Sequence, residues 1–396
     1  MATDPPDRPL RIAVVTSLFP LSSEPYRGIP IYYTVEQLTH LAEVEVFVPL
    51  AVYPPVSWLQ PKSYIYRGAD PAWQPPGVRV QYCEYSVLPR ITRPINGQLA
   101  ARRLIGPLRR FRPDVVLAYW IYPDGHGAAI TARSLGVPLV VGSRGSDLRP
   151  SDPFTIRGVR SVLAEASAIL TVSGELRDRA LELGAPAERI HVILNGCDAS
   201  VFAPGDRVAA RRELGVDESS EVVLFVGHLI PVKGVTHLMT AAIELAARRP
   251  RLELVLVGEG QQHAELEAAL AASGAALKVR FAGAQPPAEV ARWMRACDVF
   301  CLPSLNEGCP NVVIEALSTG RPVVASSVGA IPDLLDETRG ILTPPREPRA
   351  LAAALDSALD RRWDTETIAA SARRGWDAVA RQTLDVCRAA LAAPRH

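Results

Sequence analysis

A loop and a predicted helix start in the segment 306–325 could bind an anion. Pro310 suits the first turn of a helix that begins near Asn311, because its missing N–H would be unpaired there in any case. The first amide groups of a helix have no intrahelical partner, and with the helix dipole they favour a phosphate or diphosphate. These unpaired amides are those of Asn311, Val312 and Val313, and Gly308 lets the loop backbone come close to the ligand.

Two carboxylates, Glu307 and Glu315, flank this predicted anion site. A carboxylate beside a phosphate is electrostatically unfavourable unless it binds hydroxyl groups. We therefore interpret the pair as acceptors of sugar hydroxyls, one for a ribose and one for a hexose. The alternative is a helix-start charge at Glu307 and a solvated helix face at Glu315.

A second loop, within the segment VGHLIPVKG at 226–234, follows a predicted strand that ends at Gly227. It carries His228 and Lys233, and Lys233 is one of only three lysines among 43 basic residues. A flexible ammonium group at the mouth of a parallel sheet suits a diphosphate. A protonated His228 could donate to the same phosphate. The alternatives are a surface lysine and a buried structural histidine.

Further loops follow other predicted strands. The backbone around Gly258 and Gly283 could hold a nucleoside base, although such short glycine loops are common in α/β chains. In the N-terminal half, Arg27 and Gly28 follow the first predicted strand, and Gly28 permits close approach of a substrate. This loop has no G-x-G-x-x-G pattern, which disfavours a dinucleotide cofactor.

Polar side chains follow two more predicted strands of the N-terminal half. The stretch GSRGSD at 142–147 offers Arg144 as a cation and Asp147 as an acceptor. His126 follows the neighbouring strand and is equally compatible with a ligand cleft and with a helix surface. The chain has neither a G-x-S-x-G elbow nor a Walker loop.

Short apolar runs alternate with helical patterns in both halves of the chain, which predicts two α/β domains with doubly wound parallel sheets of Rossmann type. We expect domains at 1–200 and 201–375 and a C-terminal helical segment at 376–396. The segment 54–90 shows no clear periodicity and is interpreted as an irregular insertion. The segment 198–216 has no strand pattern and is interpreted as the linker between the two domains. Ligands of such sheets bind at the carboxyl ends of the strands.

Composition excludes several classes of protein. The chain has 396 residues, 48% of them apolar, and a formal net charge of +1. This balance argues against a general nucleic-acid binder. The six cysteines lack zinc-site spacing, and we expect no metal site. No stretch reaches the length of a membrane span, and the N-terminus does not resemble a signal peptide. We therefore expect a cytoplasmic protein.

Several motifs together carry a resemblance to a known family. The E-x7-E pair is followed by Ala316, Gly320 and PVVA at 322–325, and VGHLIPVKG is joined by NGCD at 195–198. With TSLFP…PYRGI and RGSD in the N-terminal half, the chain closely resembles family 4 retaining glycosyltransferases of the GT-B fold. It is most similar to the branch that makes bacterial capsular, teichuronic-type or exopolysaccharide chains.

The resemblance implies two facing Rossmann-like domains. The C-terminal domain would bind a nucleotide-diphosphate sugar, the N-terminal domain would bind the acceptor, and the last helix, from Trp376, would return to the N-terminal domain. Lys233 would contact the diphosphate, Glu307 the donor sugar and Glu315 the ribose. The backbone of the stretch from Gly308 to Val312, which includes Cys309, Pro310 and Asn311, would also bind the donor. No metal or other cofactor would be needed for this hexosyl transfer to a glycan, lipid-linked or small-molecule acceptor.

The chain departs from the family pattern at three places. His228 stands where an arginine is usual, Arg144 stands where a histidine is frequent, and an H-x-H pair is replaced by Ala118 and Trp120. Arg144 would then supply charge to the diphosphate or sugar as a catalytic residue. The remaining assignments are Gly28 to the donor and Arg27, His126 and Asp147 to the acceptor.

Two other functions stay open. The missing histidines are compatible with a catalytically impaired protein that only binds nucleotide sugars, and the same two-domain plan is compatible with a nucleotide-sugar 2-epimerase. The arginine-rich segment 101–112 could also contact an anionic membrane at its inner face. The alternative is a solvated helix face with arginine stems along its flank.

Overall fold

The computed structural model describes residues 8–54, 70, 72–89 and 91–393. The chain divides into two compact units. Unit 1 comprises Met1–Leu194 and Trp376–His396, and unit 2 comprises Asn195–Gly375. Each unit is an α/β layer structure around one parallel sheet.

Unit 1 contains a seven-stranded sheet. Its strands are β1 (Arg11–Val15), β2 (Glu43–Val52), β3 (Val80–Ser86), β4 (Val115–Tyr119), β5 (Leu139–Gly142), β6 (Ala168–Thr171) and β7 (Ile190–Val192). Its first helices are α1 (Ile29–Thr39), α2 (Asn96–Phe111), α3 (His126–Leu135), α4 (Pro153–Glu165) and α5 (Gly174–Glu182). The strand order is β3-β2-β1-β4-β5-β6-β7 and all pairings are parallel. The central strands are apolar and buried, as helices on both faces require.

Unit 2 contains a six-stranded sheet. Its strands are β8 (Glu221–Val226), β9 (Leu252–Val257), β10 (Lys278–Gly283), β11 (Val299–Leu302), β12 (Val323–Ser326) and β13 (Gly340–Thr343). Its helices are α6 (Arg207–Glu213), α7 (Val235–Ala246), α8 (His263–Ser273), α9 (Pro287–Ala296), α10 (Asn311–Ser318), α11 (Ile331–Leu334), α12 (Pro348–Asp360) and α13 (Thr365–Ser371). The order β10-β9-β8-β11-β12-β13 is again parallel throughout.

In each sheet the strand order reverses at one place. This place lies between β1 and β4 in unit 1 and between β8 and β11 in unit 2. Loops at the carboxyl ends of these strands diverge, which leaves room for a ligand. The prediction of two doubly wound parallel sheets is confirmed.

The last helix, α14 (Trp376–Ala392), belongs to unit 1. Trp376 packs against Tyr33 of α1 with ring centroids 5.5 Å apart. Val379, Leu384 and Cys387 of the same helix are buried in the unit 1 core.

Two local expectations were wrong. The segment 54–90 is not wholly irregular, because β3 pairs with β2 along Val46–Val52; residues 55–69, 71 and 90 of that segment lie outside the described residues. Its sequence, VQYCEYS, lies at the sheet edge and mixes polar with apolar residues, which hides the strand. The presumed linker at 198–216 contains α6, whose start is capped by the Asp206 carboxylate.

Candidate functional site

Two loops of unit 2 meet between β8 and β11, where the strand order of the sheet reverses. The turn Pro231–Lys233 follows β8, and the loop that carries Glu307 follows β11. Leu305 N–H donates to the Val232 carbonyl at 2.8 Å, which joins the loops. The structure thereby brings together the two residues predicted to face a donor diphosphate and its sugar.

Lys233 and Glu307 form a half-buried ion pair. Lys233 Nζ lies 2.7 Å from Glu307 Oε1. Ser304 Oγ donates to the same carboxylate oxygen at 2.6 Å. The Glu307 side chain is 9% exposed, so the pair is screened little by solvent. Glu307 thus holds the Lys233 ammonium group, and Glu307 itself precedes the Pro310 cap of α10 by three residues.

The start of α10 has the predicted form. Pro310 occupies the cap position in an extended conformation and Asn311 is the first helical residue. The Val313 N–H bonds back to the Pro310 carbonyl at 3.1 Å. Helix α10 therefore begins shortly after Glu307 in the chain. We call the ion pair and the loop that leads from Glu307 into α10 the corner of unit 2, and the first N–H groups of such a helix favour anions.

Asn195 holds the loop before α10. Its Nδ2 donates to the Cys309 carbonyl at 3.1 Å and to Asn311 Oδ1 at 2.8 Å. Asn195 is 3% exposed. Sequence reasoning gave Asn195 no role, although the NGCD stretch that contains it was part of the family resemblance.

The neighbouring loop at Gly329 packs directly on the same segment. Ala330 N–H donates to the Gly308 carbonyl at 2.8 Å. Gly329 has φ +60°, and a Cβ there would lie 2.5 Å from the Glu307 carbonyl oxygen. Only glycine fits this position without displacing the loop that carries Glu307.

Glu315 lies one turn into α10. Its side chain is half-buried, and no donor among the described residues hydrogen-bonds its carboxylate. Burial raises the pKa of Glu315 to about 7. A half-buried carboxyl group that has no donor among the described residues can accept hydrogen bonds from the hydroxyl groups of a ligand.

The remaining residues predicted in unit 2 lie on the adjoining strand ends. His228 is exposed. Gly227 N–H donates to Val257 O at 2.9 Å and Gly258 N–H donates to Gly283 O at 2.7 Å, so the three glycine loops are hydrogen-bonded to their neighbouring strands. The assignment of His228 and these glycines to the donor stays a prediction.

In unit 1, the first loop is fixed by Asp124. Its Oδ2 accepts the Ser17 N–H at 2.5 Å, and the Arg27 Nε donates to the Ser17 carbonyl at 3.1 Å. Burial raises the pKa of Asp124 to about 7. Asp124 was not assigned a role from sequence. Gly28 precedes α1, and a Cβ there would lie 2.1 Å from the Leu18 carbonyl oxygen, so glycine is required by the fold itself.

The Asp147 carboxylate is occupied by its own loop. It accepts from Ser143 Oγ at 2.8 Å and from the N–H groups of Arg144, Gly145 and Ile121 at 3.0–3.3 Å. The Arg144 guanidinium stacks over the Tyr119 ring at 4.6 Å. These contacts make Asp147 an organiser of the GSRGSD loop, and its assignment to an acceptor stays a prediction.

His126 begins α3 and stacks on Tyr122 with ring centroids 5.7 Å apart. It is half-buried, and burial lowers its pKa. Its Nδ1 has no hydrogen-bond partner among the described residues. The placements of His126 in a ligand cleft and on a helix surface both stay predictions.

Within the described ranges, no three His, Cys, Asp or Glu side chains are grouped so that they could hold a metal ion. In the same ranges, no helix combines the length and apolar character that crossing a bilayer requires.

Comparison with known proteins gives a consistent family. Residues 220–361 match the family described as glycosyl transferases group 1, and residues 31–196 match the glycosyl transferase 4-like domain. The D-inositol 3-phosphate glycosyltransferase of Kribbella flavida is 31% identical, with 98% of both chains covered. The putative teichuronic acid biosynthesis glycosyltransferase TuaC of Bacillus subtilis is 27% identical over 87% of this chain and 88% of its own.

The fold is shared with solved glycosyltransferase structures. Anabaena HepE, crystallised with UDP, superposes with a TM-score of 0.73 at 20% identity, covering 96% of this chain and 100% of HepE. The chain therefore belongs to the family 4-like, group 1 glycosyltransferases, and it is a glycosyltransferase of the GT-B fold.

Proposed function

We propose that this glycosyltransferase moves a hexosyl unit, with retention at the anomeric carbon, from a nucleotide-diphosphate sugar to a glycan, lipid-linked or small-molecule acceptor. The observation that carries the proposal is the 2.7 Å contact between Lys233 Nζ and Glu307 Oε1, in the loop that leads into α10. The crystallisation of HepE with UDP supports a nucleotide-diphosphate donor.

In this proposal the leaving diphosphate is stabilised by fixed positive charge. Lys233 and the first N–H groups of α10 are held in place before the donor arrives, so little reorganisation is needed during transfer. Glu307 lies against the donor sugar, and Glu315 accepts the ribose hydroxyls. The same charges remove the need for a metal ion, and we expect full activity in the presence of EDTA.

Arg144, His228 and Gly28 complete the donor assignment, and Arg27, His126 and Asp147 complete the acceptor assignment. Arg144 keeps its guanidinium on Tyr119, which gives a cation of fixed direction. The names of the relatives point to phosphorylated cyclitols or to teichuronic-type glycans as acceptors to be tried first.

The experiment is a thermal-shift panel of UDP-, GDP-, ADP- and TDP-sugars, followed by transfer to the candidate acceptors. A true donor stabilises the chain by about 2.7 kcal/mol at a hundredfold excess over its dissociation constant. NMR of the product reports the anomeric configuration. Inversion would contradict retention. An epimer formed from donor alone, or tight donor binding without transfer, would favour the other two functions.

We also propose that unit 1 contacts an anionic membrane. Ile91, Ile95 and Phe154 are exposed by 74%, 47% and 63%, and the 2.7 Å ion pair between Arg93 and Asp152 holds their two segments side by side. The adjoining helix α2 has four exposed arginines and no acidic residue. Apolar side chains bordered by guanidinium groups fit the headgroup region of anionic lipids.

Sedimentation with liposomes tests this surface. We expect binding to vesicles that contain phosphatidylglycerol and weak binding to pure phosphatidylcholine. The double variant Ile91→Ser/Phe154→Ser should lose most of the bound fraction, whereas Val208→Ser, an exposed apolar residue of unit 2, should not. Equal binding of both variants would contradict the proposal.

A further inference from the structure

A polar cavity lies at the end of the unit 2 sheet where the strands begin, opposite to the end that carries the proposed donor site. Its volume is about 420 Å³, and it is lined where β8, β11 and β12 begin, at Glu221, Asp298 and Pro322. Lys233 and Glu307 follow the other ends of β8 and β11. The cavity therefore shares no residue with the proposed donor site.

Arginines dominate the lining of this cavity, which we call the arginine pocket. They are Arg207, Arg211, Arg251, Arg321, Arg361 and Arg362. The lining carboxylates are Glu218, Glu221 and Asp298. The pocket thus has three more positive than negative side chains.

The carboxylates of the pocket already form ion pairs, and Glu218 lies 3.8 Å from Arg212, which is outside the pocket. Asp298 pairs with Arg207 and, at 2.6 Å, with Arg211. Glu221 Oε1 lies 3.0 Å from Arg249, which is outside the pocket, and 3.8 Å from Arg251. No carboxylate among the described residues forms an ion pair with the other three arginines, Arg321, Arg361 and Arg362.

Arg321 is the unusual member of the group. It lies in the turn between α10 and β12 and is only 8% exposed. Its Nε has no hydrogen-bond partner among the described residues. A guanidinium group does not give up its proton in a protein, so a buried and unpaired one costs free energy unless an anion compensates it.

The pocket wall formed by Arg361 and Trp363 is more exposed than Arg321, and side-chain contacts fix its geometry. The Arg361 guanidinium stacks over the Trp363 ring at 4.3 Å, and Trp363 Nε1 donates to the Ala358 carbonyl at 2.8 Å. This stacking holds one guanidinium in a defined direction on the wall of the pocket.

We propose that the arginine pocket binds a phosphate group, either as inorganic phosphate or as part of a small phosphorylated metabolite. A phosphate offers several oxygens to forked guanidinium donors, and its two negative charges offset two of the three excess positive charges of the pocket. A volume of about 420 Å³ admits more than a bare phosphate ion. The site is additional to the proposed donor site and does not depend on it.

Isothermal titration of the full-length protein with inorganic phosphate, at ionic strength fixed with KCl, tests the pocket. Phosphate could also enter the proposed donor site, so the titration is performed in a Lys233→Ala background. We expect one phosphate per chain to remain. Adding Arg321→Met should weaken this binding at least tenfold, as the loss of a charge-assisted hydrogen bond implies. Arg177→Gln, an exposed arginine of unit 1, should leave it unchanged.

Arg321→Met removes a guanidinium that is only 8% exposed and forms no ion pair with any described residue, and it nearly keeps the side-chain volume, so we expect it to fold. Should it not fold, the exposed pair Arg361→Gln/Arg362→Gln carries the same test. Titrations with a hexose phosphate and a nucleoside monophosphate then distinguish a metabolite from free phosphate. Absence of phosphate binding in the Lys233→Ala background, or equal affinity after loss of the pocket arginines, would overturn the proposal. Neither result bears on transfer activity, which Lys233→Ala tests separately.

Discussion

Lys233 Nζ and Glu307 Oε1 are 2.7 Å apart, so the cation proposed for the diphosphate and the carboxylate proposed for the sugar neutralise each other before a donor binds. A diphosphate that enters this corner competes for the ammonium group. Its binding would release Glu307 to accept a sugar hydroxyl, which couples the recognition of the two parts of the donor.

Replacing Lys233 by alanine should reduce turnover by about a hundredfold to a thousandfold, because loss of one preorganised donor costs about 2.7–4 kcal/mol in the transition state. Steady-state kinetics with the identified donor measures this. Lys278→Gln is the matched control, since Lys278 begins β10 at the other edge of the sheet and its partner Glu253 keeps Arg280. Near-normal turnover of Lys233→Ala would refute the proposed role.

Replacing Asn195 should loosen the loop before α10. The alanine variant loses the bonds to Cys309 O and Asn311 Oδ1, at a cost of about 1–3 kcal/mol. Asn195→Asp keeps the shape but places a carboxylate against two oxygens, and it should be at least as damaging. We expect a weaker dissociation constant for UDP in both variants, measured by calorimetry. A variant that binds UDP normally would show that this loop does not contact the donor.

Gly329→Ala should impair activity more than its effect on stability suggests. The alanine Cβ would lie 2.5 Å from the Glu307 carbonyl and must push the loop away. Gly274→Ala is the control, because Gly274 has φ +62° and open space around it. Both variants should lose about 1 kcal/mol for the left-handed conformation. Thermal denaturation and turnover, compared side by side, should show a loss of activity for Gly329→Ala alone.

The raised pKa of Glu315 predicts a pH effect on stability. The folded chain holds this proton up to about pH 7, whereas the unfolded chain releases it near its usual value of 4.5. The free energy of unfolding that Glu315 contributes is therefore fully present below about pH 4.5 and falls as pH rises to 7. Urea denaturation of Glu315→Gln, compared with the wild type across this range, should show a smaller decline. Parallel curves would contradict the assigned pKa.

The same group should make nucleotide binding depend on pH. If Glu315 accepts ribose hydroxyls as a carboxylate, UDP affinity should increase as pH passes through 7, and Glu315→Gln should flatten that increase. Glu337→Gln, at an exposed position, serves as the control. Calorimetric titration at several pH values provides the measurement.

The central strands and helices of the fold could be predicted because short stretches of sequence identify them. Buried strands such as β4 and β8 are short apolar runs, and the start of α10 is marked by Pro310. The edge strand β3 was harder to predict, because its sequence mixes polar with apolar residues. Helix α6 is short and depends on the Asp206 cap and on a buried Arg211 that bonds to Ala296.

The site could be predicted in part. Lys233, Glu307 and Glu315 stood out through residue type and spacing, and the structure brings Lys233 and Glu307 into contact. Asn195 was missed because its partners are more than a hundred residues away in the sequence, and no local pattern encodes such a hydrogen bond. Asp124 was missed for the same reason, since it acts on Ser17.

The packing of α14 against α1 has a consequence for biosynthesis. Tyr33 and Trp376, the two aromatic rings at this contact, emerge from the ribosome more than three hundred residues apart. The core of unit 1 lacks Val379, Leu384 and Cys387 until translation reaches them. All residues of unit 2, in contrast, precede α14 in the chain. Unit 2 can therefore fold before α14 has been synthesised and before the core of unit 1 is complete.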